Sequence, residues 1–155
     1  MRRWGCVSFI IASSSISSSG LLIQRSAGEH VILANCIDNT GVQSSQMAYF
    51  SGSPGPSPSS VADVSTTYGQ TRVWEDAVTS ATFQDGDTFT ANISGVASQG
   101  DYAGTGYNDY GPFTCWANYV TNLYKWAANT CTEVYDCNHS PGKTAFLILA
   151  SFQQR

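Results

Sequence analysis

Four cysteines, Cys36, Cys115, Cys131 and Cys137, constrain this 155-residue chain more than any other feature. They stand behind an apolar, export-like leader, and an even set of thiols in that setting reads as two disulfides made in an oxidising compartment. The leader covers residues 1–27. Arg2 and Arg3 give it a basic start, Val7 to Ala12 a short apolar core, and Ser17 to Gly20 or Ala27-Gly28 the small residues that signal peptidases accept. Cys6 lies inside it, so cleavage leaves four thiols rather than five. The apolar run is too short and too rich in serine for a membrane span, which takes about 20 apolar residues. Residues 28–140 then read as one disulfide-stapled domain and 141–155 as a tail. Within the tail, the apolar Ala145 to Ala150 is either an added edge strand or a misassigned end of the gene. It is too short for a lipid-anchor signal, which needs about 10–20 apolar residues.

Charged residues make up 12% of the chain, against about 25% in ordinary soluble proteins. Ser, Thr, Gly and Asn carry the polarity instead, as they do in extracellular β-rich proteins. The formal net charge is −4; without the leader, four basic residues (Arg72, Lys125, Lys143, Arg155) face eleven acids, a net of −7. Such a field repels phosphate backbones and anionic lipid, so neither nucleic acid nor a membrane surface is an expected partner.

His30 to Cys36 predicts a strand apolar enough to be buried on both faces, and Gln46 to Phe50 a second. Between them and the rest lies SGSPGPSPSS (residues 51–60), where Pro54, Pro56 and Pro58 rule out a central strand and leave an exposed loop. The segment Ala77 to Ile93 predicts a hairpin. A three-residue loop, Gln84-Asp85-Gly86, puts Gly86 where a left-handed conformation is required. It pairs Ala81 with Phe89 and Thr79 with Ala91, so that Phe83, Ala81, Phe89, Ala91 and Ile93 share a face. A two-residue turn would split Phe83 and Phe89 between faces. In Cys115 to Ala128, Trp116, Tyr119, Val120, Leu123 and Ala127 fall at i, i+3, i+4, i+7 and i+11, which predicts a core-facing helix capped by Thr114 and stopped at Asn129-Thr130. Thr132 to Tyr135 follows as a short strand. The expected fold is therefore α+β: an antiparallel sheet of five or six strands, one helix in the C-terminal half packed on it, and two disulfides.

That helix would hold Cys115 and Cys131 about 24 Å apart, far beyond the roughly 4.4–6.8 Å between bridged Cα atoms. An extended 132–136 separates Cys131 from Cys137 by about 20 Å. Cys36–Cys131 with Cys115–Cys137 is the pairing that remains. Were 132–136 a turn, Cys36–Cys115 with Cys131–Cys137 would replace it.

Val96 to Gly111 is rich in glycine and tyrosine without a regular period, and reads as a loop. Tyr102, Tyr107 and Tyr110 on it, together with Trp74, are the candidate binding residues, because tyrosine offers rigid amphipathic contact area at low entropic cost. The same tyrosines would serve equally as the roof of a core. Gly104-Thr105-Gly106 lacks the third glycine and the following helix of a dinucleotide cradle. Asn92-Ile93-Ser94 and Asn138-His139-Ser140 are N-glycosylation sequons and fit a secretory route. Asp85 and Asp87 fall far short of the about six to eight oxygens calcium takes, so no metal is expected, and no motif calls for a cofactor. Nor is there a catalytic set. His30 and His139 stand at opposite ends of the domain, and a hydrolase would need a concave site joining one of them to Glu75 or Asp76.

The stretches GDYAGTGYNDYGPFTCW (residues 100–116), NLYKW (122–126) and CTEVYDC (131–137), with the ANC of residues 34–36, resemble small secreted cysteine-containing proteins of filamentous fungi. The likeness covers residues 28–140 and brings no catalytic residue with it. It implies an effector-like protein that recognises a host or competitor component, an extracellular protein or glycan, outside the fungal cell. The competing readings are a carbohydrate- or cell-wall-binding module built on Trp74, Tyr102, Tyr107 and Tyr110, and a small secreted hydrolase. A coplanar row of exposed rings would mark the glycan module; a mixed apolar patch would mark a protein partner.

Overall fold

A computed structural model describes residues 28–139; the leader, with Cys6, and the tail lie outside the described residues. Nine strands make one antiparallel sheet: β1 (His30–Asp38), β2 (Gln43–Phe50), β3 (Ser60–Asp63), β4 (Ala77–Thr82), β5 (Thr88–Ile93), β6 (Tyr102–Asn108), β7 (Gly111–Ala117), β8 (Tyr124–Trp126) and β9 (Asn129–Asn138). Their order is β3-β2-β1-β9-β7-β6-β5-β4, with β8 also paired to β9. The two end strands, β3 and β4, touch, so the sheet curls into a nearly closed barrel. The fold is all-β, with no helix among the described residues, and the α+β expectation is overturned.

β1 is buried on both faces, as its apolar run requires. Val31 and Leu33 join the barrel interior with Trp74, Phe89, Phe113 and Tyr135. Ile32, Ala34 and Cys36 join a second cluster on the opposite face, with Ala48, Phe50 and Tyr124. The expected hairpin is present. Thr79 faces Ala91 and Ala81 faces Phe89, Phe83 N donates to Asp87 O at 2.8 Å, and Gly86 takes φ 92° at the third loop position.

The helix expected over Cys115–Ala128 does not form. Its first residues complete β7, where Phe113, Cys115 and Ala117 are buried and Trp116 between them is not. Residues 118–123 then run as a loop along β9, with Asn118 N donating to Val134 O and Glu133 N to Val120 O. Asn122 (φ 52°) and Ala127 (φ 51°) are left-handed, which a right-handed helix excludes. Two causes combine: aromatic and β-branched residues prefer a pleated surface, and a short isolated helix is marginal unless tertiary packing supports it. Here the long-range ladder onto β9 wins. Val96–Gly111 is likewise not a loop throughout, since it contains β6.

Both bridges lie across neighbouring strands. Cys36 faces Cys131 between β1 and β9 (Cα–Cα 4.1 Å), and Cys115 faces Cys137 between β7 and β9 (3.9 Å). The connectivity is the expected one, but the cause is direct register rather than a helix holding cysteines apart. Leu33 faces Tyr135 while Ala34 faces Glu133, so Val134 is an extra residue bulged out of β9.

Candidate functional site

The register of the strands lays a row of side chains across the outward face of the sheet: Val78 (β4), Asn92 (β5), Thr105 (β6), Thr114 (β7), Asn138 (β9) and His30 (β1). Beside it on one side run Tyr102, Trp116 and Asp136, and on the other Thr90, Tyr107 and Pro112. Tyr102 is 54% exposed and Tyr107 59%. Tyr102 and Trp116 are direct cross-strand partners whose rings meet edge to face, 6.1 Å between centroids and 83° between planes. Tyr110, 45% exposed, stands in the β6–β7 turn, where Asn108 Oδ1 accepts from its backbone N at 3.0 Å.

Three of the four candidate binding residues are thus exposed along one strand and its turn. Trp74 is not with them. It is 2% exposed inside the barrel, and its Nε1 donates to Asn35 Oδ1 at 3.0 Å, so it is a core residue. Trp116, which the helical reading assigned to the core, takes an outward place instead. Glycines make this surface possible. The inward positions of β6 include Gly104 and Gly106, where a Cβ would come within 2.1 Å of Asn92 O and 2.4 Å of Phe89 Cζ respectively.

A polar cluster adjoins Trp116. His30 Nδ1 lies 2.8 Å from Asp136 Oδ1, and Asn138 Nδ2 donates to Asp136 Oδ2 at 3.2 Å. Glu133, 1% exposed, accepts from Asn118 Nδ2 at 2.8 Å. Burial pushes its carboxyl up to about 7; Asp136 acts in the same direction, and the Asn118 hydrogen bond and His30 oppose it. Asn118 Oδ1 in turn accepts from Gln99 Nε2 at 2.7 Å, Gln99 Oε1 accepts from Tyr119 N at 2.7 Å, and Tyr119 OH donates to Ala97 O at 2.8 Å. The cluster therefore pins the loop after β7 to the β5–β6 loop, beside the aromatic pair.

Among the described residues, no hydrogen bond joins His30 or His139 to Glu75 or Asp76, the pairing a hydrolase would need. Glu75 accepts the hydroxyl of Tyr135, a residue of the barrel interior, whereas His30 is on the outward face; burial and that contact raise the ionisation of Tyr135 above its ordinary value. His139 stacks on Phe113 with centroids 4.0 Å apart, and Asp76 is exposed in the turn just before β4.

A separate cleft of about 350 Å³ beside the β1–β2 turn is lined by Asp38, Ser44, Asp63, Ser65, Thr66 and Tyr68, among others. The Asp38 carboxylate serves the turn: the Thr40 hydroxyl, with the Val42 and Thr40 backbone N–H groups, holds it below its ordinary value. Asp85 is similarly engaged, accepting from Asp87 N at 3.2 Å. Among the described residues no three His, Cys, Asp or Glu side chains gather as metal ligands, and no helix is long and apolar enough to cross a membrane. The two disulfides are compatible with an extracellular protein. No protein-family model, curated protein or solved structure matches the chain.

Proposed function

We propose that the protein is a secreted, effector-like recognition protein that binds an extracellular protein partner through the outward face of β6 and β7, without cofactor or catalysis. The observation that carries this reading is the concentration of Tyr102, Tyr107 and Trp116 on the outward face of β6 and β7, with Tyr110 in the turn between these strands, on a disulfide-bonded barrel. Aromatic side chains are the commonest anchors of protein interfaces. The rings of Tyr102 and Trp116 stand nearly perpendicular to each other rather than in a coplanar row, with Thr105 and Thr114 beside them, which favours a protein surface over a flat sugar chain. The excess of acidic over basic residues suits a neutral or basic partner.

The test compares the parent with Tyr102→Ala and Tyr107→Ala, using Thr82→Ala on β4 as a control. A purified extracellular protein captured by the parent should bind either tyrosine variant at least tenfold more weakly, with unchanged thermal midpoints, while the control binds as the parent does. Equal affinity for all four refutes the surface. Co-sedimentation with an insoluble polysaccharide, lost in the same two variants, would replace the protein partner by a glycan.

A further inference from the structure

We propose that the chain carries an N-linked glycan at Asn92 and none at Asn138, so that the glycan flanks the β6 tyrosines from the β4–β5 side of the outward face. This rests on entry into the secretory route. Both asparagines lie in sequons and in the same row across the sheet, yet their surroundings are opposite. Asn92 is exposed on β5 between Val78, which is 62% exposed, and Thr105, also exposed. Its amide projects from the sheet, and a sugar there displaces nothing. Asn138 is 8% exposed, its Nδ2 donates to Asp136 within the His30 cluster, and its neighbour Cys137 is fully buried in the bridge to Cys115.

The transfer joins Nδ2 to the anomeric carbon of a lipid-diphosphate-linked oligosaccharide. That carbon's bond to the diphosphate breaks, and Nδ2 loses one proton; the cell's oligosaccharyltransferase supplies donor and catalysis. A chain modified at Asn138 would have to fold with a sugar where Asp136 and the barrel wall leave no space. Such chains are excluded from the folded, exported pool. On β6, Tyr107 and, across the bulge at Ala103, Tyr102 lie diagonal to Asn92, about 7–8 Å away across the ladder. The glycan therefore borders the tyrosine surface on one side, and a partner must approach from the β7–β9 side.

The full chain is expressed in a eukaryotic host in two forms, unaltered and with a general secretion leader fused ahead of Met1. Exported protein is mapped by enzymatic glycan release in ¹⁸O water. The expected result is label at Asn92 alone; Asn92→Gln removes the mobility shift, and Ser140→Ala, which breaks the second sequon without touching Asn138, leaves it unchanged. A glycan on Asn138 in exported protein with both bridges formed overturns the proposal, as does a bare Asn92 in exported protein of either form. Export by the fused form alone overturns the secretory reading of residues 1–27, while the fused form still decides the site.

Discussion

Glu133→Gln isolates the cost of ionising a carboxyl that the barrel buries. The side chain is 1% exposed at the β9 bulge, faced by Asn118 from the loop after β7, by Asp136 from its own strand and by His30 from β1. Burial raises its pKa from 4.5 to about 7, so between those values the folded protein holds a proton that the unfolded chain has lost. The associated stability is fully present below about pH 4.5, falls as the pH rises, and is gone above about 7. At about 1.36 kcal/mol per tenfold change in proton affinity, a rise of that size is worth about 3 kcal/mol. Glutamine keeps an oxygen for Asn118 Nδ2 and cannot ionise. The variant should therefore match the parent at about pH 4 and exceed it by about 3 kcal/mol at about pH 8. Urea unfolding with both disulfides intact measures the difference, and the titrations of groups remote from Glu133 cancel between the two proteins. A variant no more stable than the parent at the higher pH, or weaker by the same amount at both, would refute the reasoning.

Replacing Cys36 and Cys131 by alanine should cost about 4.7 kcal/mol and replacing Cys115 and Cys137 about 3.4, because the closed loops differ in length, with sequence separations of 95 and 22. Denaturant midpoints check the order, and a larger loss for the second pair contradicts it. Gly106→Ala drives a methyl to within 2.4 Å of Phe89 Cζ and should cost about 1–3 kcal/mol. Gly104→Ala should cost more, since the obstacle is the backbone carbonyl of Asn92, which cannot rotate away. Thermal melts of the two variants measure this, and parent-like stability for Gly104→Ala would mean that β6 does not approach β5 as described.

What the sequence disclosed was local. The hairpin at 84–86 needed only turn chemistry and the alternation of Phe83, Ala81, Phe89 and Ala91, and β1 needed only its unbroken apolar run. β6 escaped notice because glycine occupies two of its inward positions, which erases the apolar beat by which a strand is recognised. The region after Cys115 misled for the opposite reason. Its apolar residues match a helical period, while the strand it joins is separated from it in sequence. Trp74 and Trp116 consequently exchanged places, the first expected outside and found in the core, the second expected in the core and found on the face. The His30–Asp136 pair joins residues 106 positions apart, and no local pattern announces it.

The bulge at Val134 links the bridges to the polar cluster. In β9 the buried residues Cys131, Glu133, Tyr135 and Cys137 alternate without a break, as though one face of a regular strand were turned inward. The extra residue divides them. Cys131 belongs to the outer cluster with Cys36, whereas Tyr135 and Cys137 belong to the barrel interior with Cys115. The same half-turn brings Asp136 onto the face that Glu133 occupies, although three positions separate them and a regular strand would set them on opposite sides. One inserted residue therefore gives each face of β9 its own disulfide and assembles the Glu133–Asp136–His30 group. Through Asn118, that group fixes the loop beside Trp116. The surface proposed to meet a partner is held in place by a deviation from strand periodicity, which is why a reading based on periodicity passed over it.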